Sequence, residues 1–214
     1  MKALERLVAE KLLKIKAVKL QPTNPFTWAS GWKSPIYCDN RKTLSYPAIR
    51  SFIKIELARV ISEKYEQADA IAGVATGAIA QGALVADLLG LPFVYIRATP
   101  KDHGLENLIE GELKPGSKVV ILEDLVSTGG SSLKAVEAIR NFGCEVIGMV
   151  AIFTHGFPIA AKHFKQAKVE LTTLSQYDAV IEEAVRTHYI DPAEIATLQE
   201  WRKDPANWKP NNEQ

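Results

Sequence analysis

The stretch from Ser117 to Leu133 constrains the fold of this chain more than any other part of the sequence. It begins with Val119 to Leu122, an apolar run rich in β-branched residues, which predicts a buried strand. The carboxylates of Glu123 and Asp124 follow at once, and a small polar turn comes next. Beyond the turn, apolar residues fall three apart, as on one face of a helix, and Gly143 stands where that helix would end. This order of strand, acids, glycine turn and helix is common in α/β proteins.

The turn over residues 127–131 has the sequence Ser-Thr-Gly-Gly-Ser and leads into the predicted helix. A helix N-terminus presents unbonded backbone N–H groups and the positive end of the helix dipole, and paired glycines let a ligand approach closely. The neighbouring acids would repel a bare phosphate, but a phosphorylated sugar suits both the acids and the turn. Neither a Walker Gly-Lys-Ser/Thr nor a Gly-x-Gly-x-x-Gly spacing occurs in this stretch. An ordinary acid pair and an ordinary turn explain the same residues, so the pattern alone leaves both interpretations open.

Strands and helices alternate through the middle of the chain. Further strands are predicted at 70–75, 92–97, 145–153 and 169–174, and helices at 48–65 and 79–89. The strands are almost continuously apolar, which predicts a parallel sheet covered on both faces. Ligands of such sheets bind at the carboxyl ends of the strands. Four polar residues fall at or just past predicted strand ends: Thr76, Arg97, Asp124 and His155. We therefore expect these four to share a site.

The segments on either side of this region are less regular. Short helices are predicted at 3–13, 177–185 and 192–202. Residues 20–47 contain too much Pro, Gly and Ser for a helix, and they carry aromatic and basic residues: Trp28, Trp32, Tyr37, Tyr46, Lys33, Arg41 and Lys42. Such a mixture can cover a flat anionic base, but it can equally pack a small lobe against the core. Residues 98–112 are polar and without clear period, which is typical of a functional or mobile loop.

The composition limits the class of protein. The 214 residues suffice for one domain, or for one domain with an appended lobe. Because 26 basic residues nearly balance 25 acidic ones, we expect neither nucleic acid nor a membrane as a partner. The apolar runs are far shorter than the ~18 residues of a membrane span. Cys38 and Cys144 make no disulfide framework and the N-terminus does not resemble a signal sequence, so we expect a cytoplasmic protein.

Three motifs resemble those of a known family. Residues 123–131, Glu-Asp-Leu-Val-Ser-Thr-Gly-Gly-Ser, resemble the phosphoribosyl-diphosphate signature of the type I phosphoribosyltransferases. Within that family, two more motifs resemble the orotate phosphoribosyltransferases: Phe-Thr-Trp-Ala-Ser-Gly-Trp-Lys-Ser-Pro-Ile-Tyr at 26–37 and Lys-Asp-His-Gly at 101–104. The motifs lie in the family's order, and the resemblance covers roughly residues 20–160.

This resemblance implies a fold and a reaction. The fold is a single α/β domain over 1–214, with a parallel-sheet core over roughly 47–168 and a small hood built from 1–46 and part of 170–214. The reaction transfers a phosphoribosyl group from 5-phospho-α-D-ribose 1-diphosphate to orotate, in the synthesis of UMP. The family also implies Mg²⁺, held by substrate and water with no direct protein ligand. It further implies a homodimer in which a loop reaches the partner's site.

The resemblance also assigns roles to individual residues. Those implied to bind phosphoribosyl diphosphate are Thr76, Gly77, Arg97, Lys101, His103, Glu123, Asp124, Leu125, Val126, Ser127, Thr128, Gly129, Gly130 and Ser131. Among them, the implied catalytic residues are Lys101, His103 and Asp124. Those implied to bind orotate are Tyr37, Arg41, Ser127 and His155. Without the family, a solvated charged loop would explain Arg97, Lys101 and His103 as well.

The chain departs from some members of the family in three places. A lysine after the strand-end arginine is Ala98 here, and a lysine in the N-terminal motif is Ala29. An arginine that binds orotate in those family members, just after the last core strand, is replaced here by His155. We therefore expect Arg41 to hold the orotate carboxylate instead.

Two rival functions remain open at this point. A purine phosphoribosyltransferase would share the 123–131 motif, although the motif at 101–104 and Lys33-Ser34-Pro35 argue against it. The rival from another class is a regulator that keeps the sugar-diphosphate site as a sensor and binds nucleic acid. A net charge of +1 argues mildly against such a regulator.

Overall fold

The chain divides into two compact units. The first, called here the terminal unit, contains residues 1–43 and 175–214, and the second, the central unit, contains residues 44–174. The computed structural model describes residues 2–28, 30–99 and 108–210. Within these ranges, no helix combines the length and the apolar character that crossing a membrane requires. The division of one domain into a hood and a core, with the bounds given above, stays a prediction.

The regular elements are numbered along the chain. The helices are α1 (Lys2–Lys14), α2 (Pro47–Lys64), α3 (Ile79–Leu89), α4 (Gly130–Asn141), α5 (Pro158–Ala167), α6 (Tyr177–Arg186) and α7 (Ile195–Lys203). Short 3₁₀ helices lie at Asn40–Ser45 and Pro192–Glu194. The strands are β1 (Val18–Leu20), β2 (Phe26–Thr27), β3 (Lys33–Ser34), β4 (Ile36–Cys38), β5 (Ala70–Val74), β6 (Phe93–Ile96), β7 (Ile109–Glu110), β8 (Lys118–Val126), β9 (Glu145–Thr154) and β10 (Leu171–Gln176).

The largest sheet formed by the described residues has six strands in the order β10-β9-β8-β5-β6-β7. Strand β5 pairs in parallel with both β6 and β8, and β8 pairs in parallel with β9. Among the strand pairs named here, the direction changes at one edge of the sheet, where β7 runs antiparallel to β6. The prediction of an α/β fold with a largely parallel sheet is confirmed.

This sheet is buried on both faces because its central strands are apolar throughout. In β8 the consecutive residues Val119–Leu122 are all 0% exposed. Val119 and Ile121 pack in one cluster with Ala135 and Ile139 of α4. Helices α2 and α3 pack against each other, and they also contact β9 and β5 respectively. Alternate residues of a strand point to opposite faces, so the burial of all four residues requires cover on both sides.

Four segments differ from the predictions made from the sequence. Strand β8 continues through both acids, because its pairing with β9 extends to the last residue of each strand. The segment 98–112, predicted as a loop, contains β7, which pairs with the end of β6. The segment 20–47, predicted as irregular, contains a 3₁₀ helix and short strands that form two small sheets, β1 with β4 and β2 with β3. In addition, the helix predicted over 192–202 is divided into a 3₁₀ turn and α7.

Aromatic packing organises the terminal unit. Trp201 of α7 is 0% exposed, and its Nε1–H donates to the carbonyl oxygen of Lys33 at 3.1 Å. The Trp201 ring meets Trp28 edge-on with 5.6 Å between centroids, and it lies 5.7 Å from the ring of Tyr177. These contacts fix the β2–β3 hairpin to the C-terminal helix, and α1 packs against α6 in the same unit.

Candidate active site

A close contact joins two of the predicted site residues at the carboxyl ends of β5 and β8. Asp124 lies near the end of β8, and Gly77 lies in the turn between β5 and α3. A Cβ atom added to Gly77 would collide with the carboxyl carbon and both carboxylate oxygens of Asp124. The preceding residue, Thr76, is exposed and follows a cis peptide bond. The carboxylate of Asp124 therefore occupies the space that a larger residue at position 77 would need.

Glu123 points into the protein, unlike its neighbour. It is 4% exposed, its Oε2 accepts a hydrogen bond from the Ser132 hydroxyl at 2.9 Å, and its Oε1 accepts one from the Asp124 backbone N–H at 3.0 Å. Burial, and after it the adjacent charge of Asp124, raises the pKa of Glu123 to about 8. A carboxyl group with such a pKa keeps its proton at neutral pH. The two acids therefore face different surroundings, and Asp124 is the half-exposed one of the pair.

The residues Ser127–Ser131, which we call the glycine loop, lie at the N-terminus of α4. Gly129 occupies the N-cap position with φ 84°, a left-handed conformation that favours glycine, and no side chain caps the helix. The last two residues of the loop are exposed and the first two are half-buried. Just before the loop, Leu125 is half-buried and Val126 is 0% exposed, so the side chain of Val126 belongs to the core. The loop offers an uncapped helix N-terminus to an anion.

Helix α5 supports one side of the glycine loop. The Nδ1 atom of His163 lies 3.0 Å from the carbonyl oxygen of Thr128. A Cβ atom on Gly129 would come within 3.0 Å of the ring of Phe164, which is 4% exposed. Sequence reasoning missed both residues, since nothing in an amphipathic helix marks two adjacent positions as contacts of a loop 35 residues earlier.

Arg97 directly follows β6 and is held by the region of β7. Its backbone N–H donates to the carbonyl oxygen of Leu108 at 2.8 Å, and its Nη1 lies 3.4 Å from Oε1 of Glu110. The side chain of Arg97 is 31% exposed, so it is only partly covered by this contact. The contact of Glu110 with Arg97 was not predicted, because the polar segment around Glu110 lacks the alternation of apolar and polar residues that indicates a strand.

His155 directly follows β9 and is buried between aromatic rings. Its backbone N–H donates to the carbonyl oxygen of Val126 at 3.1 Å. Its imidazole stacks on Phe157 with 5.4 Å between centroids, and it meets Phe153 edge-on at 5.4 Å. Because His155 is 1% exposed, it offers little surface to a ligand, and its contact with orotate stays a prediction.

Four further predicted residues belong to the terminal unit or fall outside the described residues. In the terminal unit, Tyr37 is 39% exposed, and the Nε–H of Arg41 donates to Oδ1 of Asp39 at 2.7 Å. Lys101 and His103 fall outside the described residues. The roles of these four predicted site residues stay predictions.

The chain is similar to known proteins over nearly its whole length. The family model described as Phosphoribosyl transferase domain matches residues 48–186. A protein of Bacteroides fragilis named orotate phosphoribosyltransferase is 74% identical over 209 residues, which cover 98% of this chain and 99% of that protein. This chain belongs to the orotate phosphoribosyltransferase family.

Two further members of the orotate phosphoribosyltransferase family support this assignment. The protein of that name from Porphyromonas gingivalis is 73% identical over 208 residues, which cover 97% of this chain and 99% of that protein. The crystal structure of orotate phosphoribosyltransferase from Aeropyrum pernix has a TM-score of 0.75 and 27% identity, and the match covers 86% of this chain and 99% of that chain. The resemblance seen in the sequence motifs is confirmed, and neither rival function is favoured by these relatives.

Replacing Glu123 with Gln is expected to flatten the pH dependence of stability. The folded protein keeps a proton on Glu123 that the unfolded chain loses near pH 4.5, so the stability from this group is fully present below pH 4.5 and is lost as the pH rises through about 8. The amide imitates the protonated acid at every pH. Between about pH 5 and pH 9, the wild type should therefore lose at least about 1.4 kcal/mol of unfolding free energy relative to Glu123→Gln, the equivalent of one pKa unit.

Urea unfolding at both pH values measures this difference. The exposed Glu137 on the same helix as Ser132 supplies a control, because Glu137→Gln should follow the wild-type profile. Parallel profiles for the wild type and Glu123→Gln would show that Glu123 does not hold a proton in the folded protein.

Proposed function

We infer that this chain transfers the phosphoribosyl group from 5-phospho-α-D-ribose 1-diphosphate to orotate. The products are orotidine 5′-phosphate and diphosphate, and the reaction is a step in the synthesis of UMP. The observation that carries this inference is the 74% identity, over 98% of the chain, to a protein named for the activity. The geometry suits a phosphorylated sugar, because the short segment that begins at Asp124 ends at the uncapped N-terminus of α4.

The reaction exchanges one bond at C1 of the ribose. The N1 atom of orotate loses its proton to water and forms the new bond with the electron pair left on it, while the bond from C1 to the diphosphate oxygen breaks with inversion and leaves its pair on that oxygen. Because N1 of orotate ionises readily, no strong general base is needed. Positive charge develops on the ribose and negative charge on the leaving group, so catalysis is mainly electrostatic and positional.

The parts of the substrate are assigned to residues by charge. The glycine loop takes the 5-phosphate at the uncapped N-terminus of α4. Asp124 lies beside the ribose, where a carboxylate accepts hydrogen bonds from hydroxyls and stabilises nearby positive charge. The residues proposed for the diphosphate are Thr76, Gly77, Arg97, Lys101 and His103.

Glu123 remains a proposed ligand of the ribose hydroxyls, with a restriction set by its surroundings. Both of its carboxyl oxygens already accept hydrogen bonds, from Ser132 and from the backbone of Asp124. In its protonated form Glu123 has one O–H donor and a carbonyl oxygen with a spare lone pair, so it can make a further hydrogen bond. We propose that Glu123 chiefly fixes the backbone of Asp124, and that any ribose hydroxyl reaches it as an additional partner.

Mg²⁺ is proposed as the cofactor, held mainly by substrate oxygens and water. Mg²⁺ prefers oxygen ligands and loses its own water reluctantly, so the oxygens of the diphosphate together with water suit it. Among the residues that the structure describes, no group of three or more His, Cys, Asp or Glu side chains is placed to hold a metal ion. Once bound, the ion neutralises charge on the diphosphate. We place the enzyme in the cytoplasm, where a reducing environment keeps cysteine thiols such as those of Cys38 and Cys144 reduced.

The direct test of this function follows the absorbance of orotate as it is consumed with phosphoribosyl diphosphate and Mg²⁺. Adenine, guanine and xanthine are assayed in parallel. We expect turnover with orotate and none with the purines. Turnover with a purine alone would establish the purine enzyme, and binding of nucleic acid without any turnover would establish the regulator.

Asp124→Asn is expected to reduce kcat/KM to less than a tenth of wild type while the protein stays folded. The amide keeps the shape of the side chain but loses its charge. The orotate assay and a thermal unfolding curve measure the two effects, and Asp87→Asn on the exposed side of α3 is the control. If Asp124→Asn keeps more than about a tenth of kcat/KM, a change of only about 1.4 kcal/mol, the role given to Asp124 is wrong.

Arg41→Ala is expected to raise the KM for orotate far more than the KM for phosphoribosyl diphosphate. A charged guanidinium binds a carboxylate more strongly than a neutral imidazole does, so His155→Ala should have the smaller effect. Lys42→Ala removes the neighbouring cation and should leave both constants near wild type. An unchanged KM for orotate in Arg41→Ala would exclude this residue from the orotate site.

We further propose a homodimer in which the loop with Lys101 reaches the partner's site. Mixing inactive Lys101→Ala and Asp124→Asn proteins tests this, because a mixed dimer would then contain one site with both defects and one with neither. Activity should recover to at most about a quarter of wild type for a statistical mixture of two-fold dimers. No recovery despite demonstrated subunit exchange would mean that each loop serves its own subunit.

A further inference from the structure

Two adjacent residues of α5 contact two adjacent residues of the glycine loop. His163 lies against Thr128, and Phe164 lies against Gly129. We propose that His163 is a positioning residue for the 5-phosphate site: it fixes the peptide group between Thr128 and Gly129 so that the Gly129 N–H faces the phosphate. This proposal rests on the proposed function, because it takes the glycine loop as the phosphate site.

The chemistry of the contact sets its direction. A backbone carbonyl oxygen can only accept a hydrogen bond, so the Nδ1 atom of His163 must carry the hydrogen that it shares with Thr128 across 3.0 Å. The donor is a ring fixed on a helix, and the acceptor belongs to a loop. His163 therefore holds the carbonyl of Thr128 towards α5.

Peptide geometry carries this constraint to the next residue. A trans peptide group is planar, and its C=O and N–H bonds point in opposite directions. When the carbonyl of Thr128 points towards α5, the N–H of Gly129 points away from α5. The ring of Phe164 lies 3.0 Å from the place where Gly129 would carry a Cβ atom, so the α5 side of the loop is closed. We infer that the phosphate approaches from the other side, where Gly130 and Ser131 are exposed and towards which the buried Gly129 turns its N–H.

The loop needs such an external anchor, whereas α5 does not. Gly129 and Gly130 follow one another, and paired glycines leave the backbone many conformations. No side chain caps α4 at this end. Helix α5 is also fixed by contacts away from the loop: Phe164 belongs to the core, and Nη1 of Arg140 near the end of α4 donates to the carbonyl oxygen of Ala167 at 2.9 Å. His163 thus transfers the rigidity of α5 to the loop.

The proposal predicts which kinetic constant changes. The 5-phosphate takes no part in the bond exchange, and we propose that the contact fixed by His163 acts in binding the substrate. Loss of a contact that is equally strong in the bound substrate and in the transition state raises KM and leaves kcat unchanged. A residue needed only for folding would instead reduce stability without separating the two constants.

Three substitutions of His163 separate hydrogen bonding from packing. Asn places an N–H donor close to the position of Nδ1, Gln places it one bond further out, and Ala removes it. For His163→Ala and His163→Gln we expect the KM for phosphoribosyl diphosphate to rise about tenfold, the usual scale for an orphaned carbonyl. In His163→Asn the rise should stay within about threefold, and kcat and the KM for orotate should stay within about twofold of wild type in all three.

Ribose 5-phosphate is a second probe, because it carries the phosphate without the diphosphate. Its inhibition constant against phosphoribosyl diphosphate should rise by the same factor as KM in each variant. Lys162→Ala, an exposed neighbour on α5, is the control and should match wild type in every constant. Thermal unfolding of each variant shows whether it is folded. The comparison of His163→Asn with His163→Gln still tests the proposal if His163→Ala does not fold.

The outcomes distinguish this inference from the proposed function. If the wild type turns over orotate while His163→Gln and His163→Asn have the same KM for phosphoribosyl diphosphate, the positioning role is overturned and the function stands. A loss of kcat at unchanged KM would overturn it as well. If the wild type consumes no orotate, the function itself fails, and with it the inference.

Discussion

The contact between Asp124 and Gly77 is the constraint on which the site depends. It joins two strand-turn-helix units: Gly77 belongs to the turn after β5, and Asp124 lies near the end of β8. The contact exists because β5 and β8 are neighbouring parallel strands. Parallel neighbours end at the same edge of a sheet, so the residues that follow them meet there. Both faces of β8 are packed, and a shift by one residue would turn Asp124 to the side on which Glu123 is buried, which disfavours any other register. The geometry of the site is thus a consequence of how the core packs.

The same strand also separates two adjacent carboxyl groups into different tasks. Successive side chains of a strand point to opposite faces, so Glu123 and Asp124 differ in burial although their carboxyl groups still interact. Glu123 meets Ser132 at the start of α4 and is buried with a raised pKa. Asp124 faces the turn at Gly77 and stays half-exposed. One acid therefore supports the backbone of the site, and the other is placed to meet a substrate.

Much of this arrangement could be predicted from the sequence, because it depends on local patterns. The apolar run before Glu123 predicts a central strand, and the glycines at 129 and 130 predict a turn that leads into a helix. The parallel sheet then brings the ends of its strands together. Contacts between distant segments could not be predicted in this way. His163 reaches Thr128 and Glu110 reaches Arg97 through tertiary packing, which leaves no periodic trace in the chain. The extension of β8 through Glu123 and Asp124 was not predicted for a related reason. Charged residues indicate the end of a strand unless the strand that pairs with them is known.

The central claim is that the carboxylate of Asp124 works from the space left by Gly77, and a double-mutant cycle in the orotate assay tests it most directly. Gly77→Ala must displace that carboxylate. The account predicts that Gly77→Ala stays folded and loses at least about tenfold in kcat/KM, and that the double variant with Asp124→Asn is no less active than Asp124→Asn alone, since residues in contact do not act additively. Wild-type kcat/KM in Gly77→Ala, or losses that multiply in the double variant, would contradict it.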